Sequence, residues 1–153
     1  AVYEDQNQVM PLAFDHEAIK WLERNVEGSP VILEANTYPK LYGWGSRYSI
    51  NTGLPTVAGW EWHSRQHRAA FQGSVELVRN RIEDIQTIYE TTDIHLALDL
   101  LHHYQVEFII YGPLERAYYD NIGEGKFAQM ISHGYLEEVY QNPGVSIFRT
   151  VHN

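Results

Sequence analysis

The sequence predicts an α/β fold: a mostly parallel sheet of about five short strands, flanked by helices and ending in an antiparallel hairpin. Three observations predict it. Short apolar runs at 31–35, 54–58 and 106–111 are bounded by glycine, proline and polar turn residues, the pattern of buried strands. Stretches with apolar residues at helical spacing fall between and around those runs. The segments 136–140 and 145–150 flank Asn142-Pro143-Gly144, a turn signal suited to a hairpin. Alternating strands and helices predict parallel pairing, and the final hairpin predicts the antiparallel end.

Taken in order, Asp15 reads as a helix N-cap, followed by Ala18, Ile19, Trp21, Leu22 and Val26 at helical spacing until Gly28 and Pro30 end the run. Val31-Ile-Leu-Glu-Ala35 is the first strand. The segment 36–53 has no clear period and is rich in Gly, Tyr, Trp, Ser and Asn, so it reads as a long loop, a kind of segment that is more often functional than average. Leu54-Pro-Thr-Val-Ala58 reads as a second strand, and the run 60–68 reads as a candidate helix start. Val75, Val78, Ile82, Ile85 and Ile88 form one stripe of an amphipathic helix. A second helix over 93–104 is capped by Asp93. Val106-Glu-Phe-Ile-Ile-Tyr111, rich in β-branched and aromatic residues, is placed centrally in the sheet. Short helices follow at 114–119 and 126–131.

Composition bounds the function classes. The 153 residues form a single domain, 1–153, with an ordinary 44% hydrophobic and 20% charged residues. A net charge of -9 repels phosphate backbones, which excludes nucleic acid as an expected partner. Without cysteine there is no disulfide, thiolate metal site or cysteine nucleophile. No apolar stretch reaches the ~20 residues that cross a bilayer. A helical pattern close behind Ala1, which is not an initiator methionine, suits a segment taken from a longer protein.

Three clusters could carry chemistry. The densest, 47–68, gathers Arg47, Ser49, Thr52, Trp60, Glu61 and His63 around an expected strand end, where open α/β sheets bind ligands. The competing reading has Trp60 and Trp62 filling the gap between sheet and helix, with the charges on a solvated face. His63 and His67 are four apart, yet no third ligand is specified and the HExxH arrangement is absent, so no metal is expected. Glu34, at the end of the first strand, and Glu61, beyond the second, would serve as an acid/base pair or as anchors for backbone N–H groups and an arginine such as Arg47; the anchoring reading is favoured. The third cluster follows the strand at 106–111: Glu115, Arg116, Tyr118 and Lys126 would orient a polar ligand, or else form a helix cap beside core aromatics. Nucleophile-elbow, phosphate-loop and dinucleotide motifs are absent, and no cofactor is expected.

Arg47-x-Ser49-x-x-Thr52-Gly-Leu-Pro-Thr-Val-x-Gly-Trp60-x-x-His63, then Arg79, Tyr89, and Gly112-x-Leu-Glu-Arg-x-Tyr118 with Lys126-Phe127, resemble the carboxyl-terminal soluble portion of the YYY family of large prokaryotic membrane proteins. The likeness spans most of the chain from about Asp15 onward; Ser64 stands where the pattern has an acidic residue. The resemblance implies a multi-spanning, glycosyltransferase-like parent that uses polyprenyl-phosphate sugars, with its catalytic acid in a loop outside this segment. The chain would then be non-catalytic, lie on the extracytoplasmic face of the membrane, pack against the spanning portion of its own polypeptide and help bind donor or acceptor sugar. Glu34, Arg47, Ser49, Thr52, Trp60, Glu61, His63, Arg79, Glu115, Arg116, Tyr118 and Lys126 are the ligand-binding candidates. Two other readings stand beside it: a freestanding carbohydrate-binding or protein-interaction module, and a hydrolase using Glu34, Glu61 or His63. If Arg47 and Glu115 serve a ligand, their replacement should spare the fold; if they are anchors, it should not.

Overall fold

The computed structural model describes residues 2–5, 8–36, 47–58 and 72–152, with side chains described for 12–36, 47–58 and 80–152. A two-stranded antiparallel ribbon, β1 (Val2–Asp5) and β2 (Gln8–Pro11), leads directly into α1 (Leu12–Asn25). After β3 (Val31–Leu33) come α2 (Arg47–Thr52), α3 (Gln72–Glu90) and α4 (Ile94–His103). Then follow β4 (Val106–Tyr111), α5 (Pro113–Tyr118), a 3-10 turn at Asn121–Gly123, α6 (Glu124–Ser132), β5 (Leu136–Gln141) and β6 (Ser146–Thr150).

The main sheet has four strands in the order β3-β4-β6-β5. Among the described strands β3 and β4 form the one parallel pair, while β4–β6 and β6–β5 are antiparallel. The expectation of a mostly parallel sheet of about five strands is therefore corrected. The terminal hairpin forms as its turn residues predict, but it turns inward: β6 takes the place beside β4, and β5 becomes the edge. The run 54–58 joins the sheet only through one parallel bridge between Ile32 and Thr56, with Ile32 N–H donating to Pro55 O at 2.8 Å. Pro55 has no N–H of its own to extend that ladder.

The alternation of β4 divides the core. Val106, Ile109 and Tyr111 pack with Ile85, Ile88, Tyr89, Leu101, Phe127 and Met130 from α3, α4 and α6. Phe108 and Ile110 face the other way, onto Ala18, Ile19 and Leu22 of α1 together with Tyr48 and Ile147. A strand buried on both faces needs apolar residues at nearly every position, which is why β4 reads as an apolar run broken only by the part-buried Glu107. Asp93 caps α4 as expected, accepting from the N–H groups of His95 (3.0 Å) and Leu96 (3.2 Å). Asp15 does not cap α1; the helix starts at Leu12, and Asp15 sits buried within its first turn.

Two close approaches fix the packing of loops. At Gly144 a Cβ would lie 2.4 Å from the Phe14 ring, and Asn142 Nδ2 donates to Phe14 O at 2.8 Å, so the hairpin turn seats on the start of α1. At Gly123 a Cβ would fall 2.3 Å from Tyr89 O, where the 3-10 turn crosses the end of α3. Because that obstacle is backbone, Gly123→Ala should destabilise by about 1–3 kcal/mol in urea denaturation. Gly125→Ala, with open space around its Cβ, should be neutral or stabilise by up to about 1 kcal/mol.

Candidate functional site

The carboxyl ends of the parallel pair β3 and β4 converge on a buried cluster of charges. Arg47, at the start of α2, is 3% exposed, and its guanidinium grips Glu115 with both oxygens: Nη1 to Oε2 at 3.1 Å and Nη2 to Oε1 at 2.9 Å. Nη2 also donates to Asp15 Oδ1 at 3.0 Å, and the Tyr48 hydroxyl donates to that same oxygen at 2.7 Å. Glu115 accepts further bonds from the N–H groups of Ala35 (2.9 Å) and Gly112 (2.8 Å). One carboxylate thus ties together the ends of β3 and β4, α2 and α5. The planar fork of arginine matches a carboxylate in this way; a lysine would not.

Glu34, 2% exposed, occupies the start of α2. Its oxygens accept from Tyr48 N–H at 3.0 Å and Ser49 N–H at 2.9 Å, two of the donors that a helix N-terminus leaves unpaired. Tyr89 reaches across from α3, its hydroxyl hydrogen shared between the carbonyls of Ile110 (2.7 Å) and Leu33 (3.2 Å). Its ring stacks on Tyr119 at 4.7 Å, whose hydroxyl accepts from Asn36 N–H at 3.0 Å. Lys126, 3% exposed, donates to Tyr89 O at 2.8 Å and Gly123 O at 3.2 Å, neutralising the carbonyl end of α3.

Electrostatics separate the two buried glutamates. Burial alone would push up the Glu115 carboxyl, but the Arg47 charge, their paired hydrogen bonds and two N–H donors hold it below the ordinary range. Burial likewise opposes the Arg47 charge, yet Glu115 and Asp15 raise its pKa well above the usual value. Glu34 makes no direct contact with Arg47 among its hydrogen bonds, so burial prevails and pushes its carboxyl up to about 8. Burial pulls Lys126 down to about 8.

Of the residues expected from sequence, the structure joins Arg47 and Glu115 in one buried ion pair and sets Glu34 beside it at the start of α2, bonded to backbone N–H groups rather than to Arg47, the anchoring arrangement. Ser49 and Thr52 lie half-buried on α2, with Thr52 Oγ1 bonded to Tyr48 O. Arg116 points elsewhere: it donates to Gly144 O at 2.8 Å and lies over the Tyr111 ring, holding the hairpin turn. Tyr118 packs beside Ala35 and Leu114, and Lys126 sits at the far end of α3. Arg79 falls on the backbone of α3 with its side chain outside those described; Trp60, Glu61 and His63 lie outside the described residues. Sequence reasoning missed Asp15 and Tyr48 as members. The signal was present for Asp15, which shares its spacing with Ala18, Ile19 and Leu22 on the apolar stripe of α1, where a carboxylate requires a buried partner. Among the described residues, no three acidic or histidine side chains stand close enough to hold a metal ion.

Fold and cluster define a mixed α/β domain whose parallel strand pair ends in an internal salt-bridge network rather than in a described catalytic pair. A solved structure with a similar fold is the C-terminal globular domain of an oligosaccharyltransferase from Archaeoglobus fulgidus, with a TM-score of 0.51 at 11% identity, covering 89% of this chain and 95% of that one. At that identity the likeness is one of fold. No family model and no curated protein matches the sequence.

Replacing Arg47 with methionine would leave Asp15 and Glu115 buried without a counter-charge, and should cost about 3–5 kcal/mol of stability, read as a lowered urea midpoint. Glu34 sets a pH dependence of the opposite kind to a salt-bridged acid. Between pH 4.5 and 8 the folded chain keeps a proton on Glu34 that the unfolded chain has released, so stability should fall as pH rises through that window. Urea titrations at pH 5 and pH 8 should show this loss in the native sequence and a much smaller one in Glu34→Gln.

Proposed function

We propose that this chain is the extracytoplasmic soluble domain of a membrane-embedded, polyprenyl-phosphate-sugar-dependent glycosyltransferase of the YYY type, contributing to donor or acceptor binding rather than supplying the catalytic acid. The observation that carries the reading is the fold it shares with the globular domain of an oligosaccharyltransferase over nearly the full length of both. No described helix is long and apolar enough to cross a membrane; the proposal assigns the spanning part to another portion of the polypeptide. The buried residues have a defined place in this scheme. Glu34, Arg47 and Glu115 hold α2 and α5 rigidly at the carboxyl end of the parallel pair, and the half-buried Ser49, Thr52, Arg116 and Tyr118 on those helices contribute polar and aromatic contacts to sugar or phosphate. The proposal also assigns ligand contacts to Trp60, Glu61, His63 and Arg79, whose side chains lie outside those described.

The reading frame that encodes this chain tests the proposal, through hydropathy scored in windows of about 19 residues. Several spanning segments with an acidic residue in an early external loop are expected. A frame with none would overturn the proposal. In membranes carrying the intact protein, Arg116→Ala should lower transfer of sugar from a polyprenyl-phosphate donor by a larger factor than it lowers the protein level, since the same side chain also holds the hairpin turn at Gly144.

A further inference from the structure

We propose that a cleft at the amino end of β4, at the opposite end of that strand from the Arg47 network, binds a single pyranose ring through its hydroxyl groups. The cleft is open to solvent, offers about 480 Å³ and is lined by Leu101, His102, Gln105, Glu107 and His152. That volume lies within the range of small-molecule sites. By strand rise it stands about 20 Å from the network at Gly112. The inference comes from the cleft alone and holds whether or not the chain belongs to a glycosyltransferase.

Two departures from regular backbone meet there. Gln105 follows the cap of α4 at φ 55, a left-handed conformation that glycine adopts without strain, yet the position carries a long amide side chain lining the cleft. Glu107 has no partner on β3: the register passes from Val31 opposite Val106 to Ile32 opposite Phe108. Such a bulge re-aims a side chain, and Glu107 is another residue of the cleft wall. Gln105 and Glu107 are thus presented through separate irregularities, one at a helix end and one within a strand.

The functional groups select the ligand class. A primary amide donates and accepts hydrogen bonds, imidazole nitrogens donate or accept according to tautomer, and a carboxylate accepts at both oxygens. Sugar hydroxyls likewise donate and accept, so vicinal hydroxyls can satisfy this mixed set. Other ligands match less well. No Lys or Arg among the described residues lines the cleft, and the last carbonyls of α4, Glu107 and a net charge of -9 disfavour an anion such as phosphate. An ammonium group would use the acceptors and leave the amide and imidazole N–H groups opposed to a cation. A metal ion lacks three converging ligands among the described residues.

Titration of the 15N-labelled chain with D-glucose, D-mannose and D-galactose, followed by amide chemical shifts, tests the site. At least one sugar should give saturable shifts centred on residues 101–107 and 150–152, with a dissociation constant of about 1 mM, as expected for a small polar ligand in an open cleft. Glu107→Gln and Gln105→Gly should each weaken that binding about tenfold or more, and Gln105→Gly should at the same time raise the urea midpoint, because glycine relieves the left-handed backbone. Several results would overturn the proposal: no saturable shift with any of the three sugars, shifts at these residues with inorganic phosphate or N-acetyl-lysine amide but not with sugar, or both variants binding like the native sequence.

Discussion

The bidentate bond between Arg47 and Glu115 is the interaction on which the rest of the arrangement depends. Both groups are removed from water, which is costly unless every lone pair and proton finds a partner. The fold meets most of that demand: two backbone N–H donors, from the residues that follow β3 and β4, serve the carboxylate, and Asp15 from α1 takes a further guanidinium N–H. Arg47 Nε and Asp15 Oδ2 stay buried without a hydrogen-bond partner among the described residues. Each partner comes from a different element, so the pair can form only when α1, α2, α5 and both parallel strands are in place together. A buried ion pair contributes little net stability compared with an apolar core; its effect here is to make one relative placement of five elements far better than any neighbouring one.

Around that pair the tyrosines distribute the remaining polar demands. Tyr48 gives Asp15 a second donor, Tyr89 bridges the backbones of β3 and β4 from α3, and Tyr119 receives the N–H of Asn36. Each ring buries apolar area while its hydroxyl reaches a group that would otherwise be stranded, which gives some of the 11 tyrosines a structural purpose independent of any ligand. The result is a stiff end of the sheet, with less buried polar residues of α2 and α5 displayed on it.

Much of this was legible in the residues. Periodicity alone located α1, the apolar stripe of α3, α4 with its Asp93 cap, and β4 with its place inside the sheet. Asn142-Pro143-Gly144 located the hairpin. Strand order was not legible, because the hairpin can add to β4 by either strand, and the choice of β6 depends on how Ile147 and Phe148 pack on the two faces of the sheet. The six-residue α2 hid inside a stretch read as loop, since its start is secured by Glu34, a residue outside the helix. Side-chain type gathered Glu34, Arg47 and Glu115 at strand ends, but sequence held no direct information on whether an arginine there meets a ligand or a neighbouring carboxylate. The weaker pairing of 54–58 followed from Pro55, whose consequence for the ladder was readable but was outweighed by the apolar character of the run.

The seating of the hairpin turn on Phe14 has a consequence for how the chain comes to be folded. Asn142 and Phe14 are 128 residues apart, and the face of α1 is covered in part by Val145 and Ile147 from the same hairpin. During synthesis the ribosome therefore releases α1 long before its covering arrives. Its apolar stripe must wait, exposed, while nearly the whole chain is made, and contacts of such separation close slowly because of the loop entropy they must overcome. Assembly is accordingly a late, collective event, and the nascent chain passes through a period of vulnerability to aggregation that the finished molecule does not reveal.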